Sequence, residues 1–250
     1  MPVENSNNES LLEPELRKKS YLIIEQNGAL RRAMIRTLKN AGITQIVEAE
    51  SAKDALMILK ANREMGVIFC NFELPDVHGL KLLHQITQEK KFHETVIIML
   101  LPDQNEEYQQ NSLQLGADLN LCKPFAWDSL KPAIEEASKI KRRKLEMENA
   151  KVKVEIAVQI TSGHKTTNGL CLELSLKECQ IVSELELGIG SRVQFQLAND
   201  QNAGWFDPVK GMVSSAGRHA DGTVAKIEYT TKILRSQGIA ALIQQYMPNV

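Results

Sequence analysis

The residues best placed to do chemistry in this 250-residue chain are neither its histidines nor its cysteines. His78, His84, His93, His164 and His219 are scattered, with no HExxH and no Cys/His metal spacing. Cys70, Cys122, Cys171 and Cys179 contain no CxxC, and three of them fall inside apolar runs, the pattern of reduced core thiols in a cytoplasmic protein. Gly188-Ile189-Gly190 precedes a strand-like run instead of a helix, so it is not a phosphate loop, and no nucleophile turn accompanies the lone serines. The residues that do share a setting are Glu25 and Gln26, Asn71, Leu101 and Lys123, each at the C-terminal end of a short apolar run. A carboxylate, two amides and an ammonium at such ends either satisfy one another as a polar cluster or hold a small anion or metal without covalent chemistry. A second group is cationic. Nine of residues 139–153 are charged and seven of these are basic, with Arg142, Arg143 and Lys144 consecutive. Such a run is either a solvated helix end complementing the helix dipole or an arm that contacts phosphates.

The elements around these residues fall into two patterns. In the first, apolar runs at Tyr21–Ile24, Ile43–Ala49, Val67–Cys70, Val96–Leu101 and Leu119–Cys122 alternate with helical spacing. The helices are expected from Ala29 to a C-cap at Gly42, over Ala52–Ala61 behind an N-cap at Ser51, over Leu80–Thr87, up to Leu115-Gly116, and from Trp127 to about Glu148. Continuous apolar strands alternating with helices imply a parallel sheet covered on both faces, in which ligands gather at the carboxyl ends of the strands. Residues 1–18, rich in Asn, Ser and Glu, read as a flexible lead-in.

This first pattern resembles the receiver domain of bacterial two-component response regulators over residues 19–140. The likeness rests on LIIEQN with the following LRR, IVEAESAKDAL, FCNFELPDVHGL, VIIML and GADLNLCKPF. The resemblance implies a flavodoxin-like (βα)5 fold. It also places Asn71 where the family has its phospho-acceptor Asp, and Glu25 and Gln26 where it has two Mg²⁺-binding acids. Leu101 stands at the switch hydroxyl, Asn120 at the aromatic that moves with it, and only Lys123, before Pro124, matches the family. An amide is uncharged and a poor nucleophile, and one carboxylate leaves the cation without most of its counter-charge. The expectation is a degenerate receiver that is not phosphorylated.

After Asn149 the period changes to two. Val152, Val154, Ile156 and Val158 alternate with polar residues, and a turn is expected over Thr161–Asn168. Further strands are expected at Leu170–Leu174, Cys179–Ser183, Arg192–Leu197, Lys210–Ser215 and Val224–Thr230, followed by a closing helix over Leu234–Met247. Five or six such strands in this length point to a small antiparallel barrel. This half resembles a PilZ domain, the bacterial cyclic di-GMP module, through GLCLELSLKECQIVSELELGIGSRVQFQL, GMVSSAG and TVAKIEYTT. The resemblance implies a dinucleotide site made by an RxxxR arm and a (D/N)xSxxG segment. Here Arg142, Arg143 and Lys144 supply an incomplete arm, Glu173 and Ser175 stand in the second segment, and Glu178 replaces its Gly. Weak or absent cyclic di-GMP binding is expected.

Composition agrees with two soluble domains: 43% hydrophobic, 24% charged and a net charge of −1 exclude wholesale disorder and whole-chain basicity. The polar, acidic N-terminus is no secretory signal, and no apolar run approaches a membrane span. The expected organisation is a lead-in (1–18), a receiver (19–140), a basic helical linker (141–150) and a barrel (151–250). The expected function is a non-enzymatic cytoplasmic signalling adaptor without a cofactor, DNA or membrane insertion, whose two domains bind protein partners. The alternative is a cyclic di-GMP effector that rearranges its domains on binding at the linker and barrel. Leu113, Phe125 and Trp127 are either core residues or part of a dimerisation face, and the long helix can pair with itself in a homodimer.

Overall fold

The computed structural model describes residues 11–61, 64–199, 204–219, 222–229 and 242–245. The chain divides into two compact units, Met1–Arg143 and Lys144–Val250.

In the first unit, β1 (Tyr21–Ile24), β2 (Ile46–Ala49), β3 (Val67–Asn71), β4 (Val96–Leu101) and β5 (Leu119–Cys122) form an all-parallel sheet of order β2-β1-β3-β4-β5. Every residue of β1, β3 and β4 is buried, which explains why they read as unbroken apolar runs. Cores lie on both faces. Leu22, Ile24, Ile68, Cys70 and Met99 face one of them, and Tyr21, Ile23, Phe69, Ile98 and Leu100 the other. The helices are α1 (Pro14–Arg17), α2 (Gly28–Asn40), α3 (Ala52–Ala61), α4 (Gly79–Gln88), α5 (Glu106–Gln114) and α6 (Leu130–Asn149), the last crossing the division between the units. In the first unit α6 buries Leu130, Ile134 and Ala137, and Lys141 reaches the fully buried carboxylate of Asp118 at 3.1 Å.

Three expectations about this unit are corrected. The lead-in is structured from residue 11: Leu12 and Leu16 pack into the core, and Leu16 O accepts from the buried Tyr21 hydroxyl at 3.1 Å. Leu12, ahead of α1, and Leu16, within it, are the two apolar anchors of this segment, too sparse a signal to stand out among polar neighbours. The second strand begins at Ile46, not Ile43. Gly42, at a φ of 89°, reverses the chain, and Ile43 N donates to Leu38 O, so this stretch closes α2 before any ladder starts. The last helix begins at Leu130, after a 3₁₀ turn over Trp127–Ser129.

The second unit is a closed antiparallel barrel. Strands β6 (Val152–Ser162), β7 (Lys165–Leu174), β8 (Glu178–Ser183), β9 (Arg192–Asn199), β10 (Gly204–Trp205), β11 (Val209–His219) and β12 (Gly222–Tyr229) run in the order β10-β9-β11-β12-β8-β7-β6. The β6–β9 pairing, with Val158 opposite Leu197, closes six of them into a ring. Val152, Val154, Ile156, Val158 and Ile160 of β6 fill the interior with Cys171, Ile181, Phe195 and Ile227. The expected turn over Thr161–Asn168 is shorter than that. Ser162 pairs with Lys165 around Gly163-His164, because Gly163 at a φ of 60° supplies the tight turn that hairpin twist requires and Thr166 and Thr167 continue as strand. Strand β11 likewise runs past Ser215 to His219. Of the expected closing helix only residues 242–245 are described; they are helical, and Ile243 is buried in the barrel core. Its remaining positions, Tyr246 and Ile239 among them, lie outside the described residues.

The loop between β3 and α4 is tied to α3 through Asp76, whose carboxylate accepts from Ala52 N at 2.9 Å and Lys53 N at 2.8 Å. Slight desolvation pushes this exposed carboxyl up, but the backbone donors outweigh it and hold it below its ordinary 3.8. Asp76→Ala is therefore expected to cost about 1 kcal/mol, as loss of a helix cap does. The advantage of Asp76 over Ala is complete above the ordinary carboxyl value and disappears as pH falls through the lower folded one, which urea unfolding at about pH 7 and about pH 3 measures.

Candidate functional site

The ends of β1, β3 and β5 meet at the C-terminal edge of the parallel sheet, and their side chains close on one another. Glu25, following β1, is 1% exposed, and Asn71, the last residue of β3, is 4% exposed. Lys123 follows β5 and extends its ammonium to Glu25 Oε2 at 2.6 Å and to Asn71 Oδ1 at 2.8 Å. Asn71 Nδ2 donates to Glu25 Oε1 at 3.2 Å and to Glu73 O at 2.6 Å. Glu25 Oε1 also accepts from Asn27 N at 2.8 Å. Both carboxylate oxygens and both ends of the amide are thus engaged, and the buried negative charge faces a single lysine.

The surrounding backbone holds this cluster in place. Asn27 caps α2, its side chain accepting from Ala29 N and Leu30 N. Arg31, one turn into α2, buries its guanidinium against the sheet. It donates to Glu25 O at 2.6 Å and to Glu48 at 2.7 Å, and pairs with Glu50. Burial works against the Arg31 charge, but the Glu48 hydrogen bond and the two carboxylates outweigh it and hold the guanidinium above its ordinary value. Gly79 lets the start of α4 close on the end of β3, since a Cβ there would lie 2.1 Å from Asn71 O. Cys70 lies beneath, and burial, aided by the Glu25 charge, pushes its thiol up to about 12, so it is inert at neutral pH.

The other expected site positions divide. Gln26 is exposed and stays out of the cluster. Leu101 is fully buried in the apolar core. Asn120 turns to α5, accepting from Ser112 Oγ at 2.6 Å and donating to Gln109 O at 3.0 Å. The nearest aromatic stack instead joins the residue after Asn71 to both neighbouring helices: Phe72 contacts His78 at the cap of α4 and Tyr108 in α5, with ring centroids 4.3 and 4.5 Å apart. Leu113 and Trp127 are exposed, Trp127 resting edge-on to Phe125.

The Mg²⁺ that a receiver fold implies does not fit this donor set. Glu25 is the one carboxylate and is already paired with Lys123, while Asn71 offers only an amide whose oxygen accepts from the same lysine. Among the described residues no group of three or more His, Cys, Asp or Glu side chains is placed to hold a metal.

In the second unit, Ser175 and Glu178 build the β7–β8 turn. The Ser175 hydroxyl donates to Glu178 O at 2.9 Å and accepts from Lys177 N and Glu178 N, so it is committed internally. Glu178 binds Lys151 at 2.5 Å through one carboxylate oxygen and Lys226 at 2.7 Å through the other. Burial opposes its charge, yet the two lysines hold its carboxyl below the ordinary range. Glu173, half-buried, lies 3.8 Å from Lys151. Arg142, Arg143 and Lys144 are exposed on α6.

Residues 21–135, under half of the chain, match the response regulator receiver domain family. Over 115 residues, 46% of this chain and 88% of the relative, the sequence is 27% identical to a chemotaxis protein CheY homolog of Campylobacter jejuni. It is also 27% identical to the chemotaxis protein CheY1 of Helicobacter pylori, over 46% of this chain and 92% of that protein. Among solved structures it is similar to chemotaxis response regulator CheY4 of Vibrio cholerae, with 23% identity, a TM-score of 0.45, and coverage of 48% of this chain and 98% of that one. The match to the receiver domain family falls within the first unit, and the second unit is a separate barrel. No helix among the described residues is long and apolar enough to cross a membrane.

Removing the cation tests the cluster. Lys123→Met leaves the Glu25 carboxylate buried and unpaired, and a loss of about 3 kcal/mol is expected in urea unfolding of the first unit. Adding Glu25→Gln removes the stranded charge and is expected to recover part of that loss, so the double variant should be the more stable of the two.

Proposed function

We propose that this protein is a non-enzymatic signalling adaptor of the cytoplasm, in which a receiver domain that takes no phosphoryl group and a PilZ-like barrel each bind protein partners. The observation that carries this reading is the closed contact of Asn71 with Glu25 and Lys123 at the end of β3. Acyl phosphate formation requires a carboxylate nucleophile and a metal-held phosphoryl donor. Here the position at the strand end is an amide, and the lysine that would meet the transferred group is occupied by Glu25. The arrangement supports a fixed state in place of a switch. Incubation of the protein with acetyl phosphate and Mg²⁺, followed by intact mass measurement, is expected to show no added phosphoryl group. A specific adduct on the first unit would overturn the reading.

Cyclic di-GMP recognition by the barrel is the competing proposal. Against it stand the committed hydroxyl of Ser175 and the carboxylate of Glu178, which already occupies Lys151 and Lys226. In its favour are the exposed cations Arg142, Arg143 and Lys144. Calorimetric titration with cyclic di-GMP decides between them. No micromolar binding is expected, and micromolar or tighter binding that disappears in Arg142→Ala/Arg143→Ala would make the protein an effector of the dinucleotide.

A further inference from the structure

We propose that a cleft at the N-terminal edge of the parallel sheet binds a phosphorylated small molecule of nucleotide size, its phosphates held by Lys18, Lys19 and Lys90. The cleft has a volume of about 760 Å³, within the range of small-ligand sites. It lies at the end of the strands opposite Glu25, Asn71 and Lys123. Its walls come from the chain entering β1, β3 and β4, which are consecutive neighbours in the sheet. That adjacency brings two dibasic segments, Lys18-Lys19 and Lys90-Lys91, to one opening although about seventy residues separate them in sequence.

The four lysines are not equivalent. Lys91 is spent on the protein: it donates to Leu59 O at 3.0 Å, pairs with Glu89 at 3.2 Å and lies over the Phe92 ring. Lys18, Lys19 and Lys90 line the cleft with no ion pair to any described residue. Four lysines against two glutamates leave the lining with an excess of positive charge, which an incoming anion relieves. The floor is shaped for one of them. A Cβ at residue 66 would lie 2.5 Å from Lys19 Cβ, so Gly66 makes the room in which the Lys19 stem crosses the start of β3.

The remaining lining selects among phosphorylated ligands. Glu64, Glu94 and Gln45 also face the cleft. A bare polyphosphate would meet two carboxylates as repulsion, whereas the hydroxyl and amino groups of a nucleoside are donors those carboxylates accept. The mixture of three unpaired ammonium groups with two carboxylates thus fits a nucleoside polyphosphate better than an inorganic one.

The test is calorimetric titration of the full chain with ATP and, separately, with pyrophosphate, at low salt and without divalent cations. Saturable ATP binding is expected, with pyrophosphate weaker by about tenfold or more. Lys18→Glu/Lys90→Glu, both on exposed side chains, is expected to weaken ATP by about tenfold or more, while the exposed Lys39→Glu on α2 leaves it within about twofold. Absence of saturable ATP binding overturns the proposal, as does pyrophosphate binding as tightly as ATP. An equal response to the cleft and α2 substitutions would reduce the effect to general charge and overturn it as well. Acetyl phosphate labelling does not read this cleft, and the variants separate it from the barrel: nucleotide binding lost in Lys18→Glu/Lys90→Glu belongs to the cleft, and binding lost in Arg142→Ala/Arg143→Ala to the linker.

Discussion

A carboxylate shut away from water stays charged only where its counter-charge is built in, and Glu25 imposes that condition on the whole C-terminal edge of the parallel sheet. Its counter-ion comes from Lys123, 98 residues away in the chain. The two meet because the order β2-β1-β3-β4-β5, with every strand parallel, places the ends of β1, β3 and β5 on one edge. Asn71 fills the interval, donating to the carboxylate and accepting from the ammonium, and an amide is the side chain of that size that can do both at once. Arg31 holds the backbone of Glu25 while pairing with two carboxylates at β2, so the outer strand and the central cluster share one anchor.

The central strands of the first unit, β1, β3 and β4, were legible because they are buried on both faces and leave continuous apolar runs. So was the setting of Glu25, Asn71 and Lys123, since chain topology alone sends strand ends to a common edge. What surrounds them was not. Asn27 N and Glu73 O act through the backbone, which has no sequence signature, and Arg31 sits in a helix where its spacing is that of any surface cation. Ile43 misled for a related reason: an apolar residue after a glycine reads as a strand start, but here its N–H completes the end of α2. Leu12 and Leu16 were hidden by their polar neighbours.

The barrel was legible to a different depth. Its period of two marks half-buried strands and gives their approximate positions, yet the ring closure between β6 and β9 depends on a long-range register that no local pattern encodes. The turn at Gly163-His164 was masked by the polar threonines beside it, which are β-branched and continue the strands. At the β7–β8 turn the residue types were visible, whereas the commitment of Ser175 to its own turn, and of Glu178 to Lys151 just ahead of β6 and Lys226 in β12, required the folded registers.

Closure of β6 onto β9 also limits how anything can dock on the second unit. A partner that adds a strand needs a row of unsatisfied N–H and C=O groups, and the ring withholds them where β9 joins β6 over Val158–Thr161 and β11 over Val209–Met212. Among the described residues, β6 before Val158 and β11 after Val213 are paired on one side only, with β7 and with β12. An added strand is thus confined to those two ends, and over the closed part of the ring recognition falls to side chains, whose specificity can change by substitution without any change of fold.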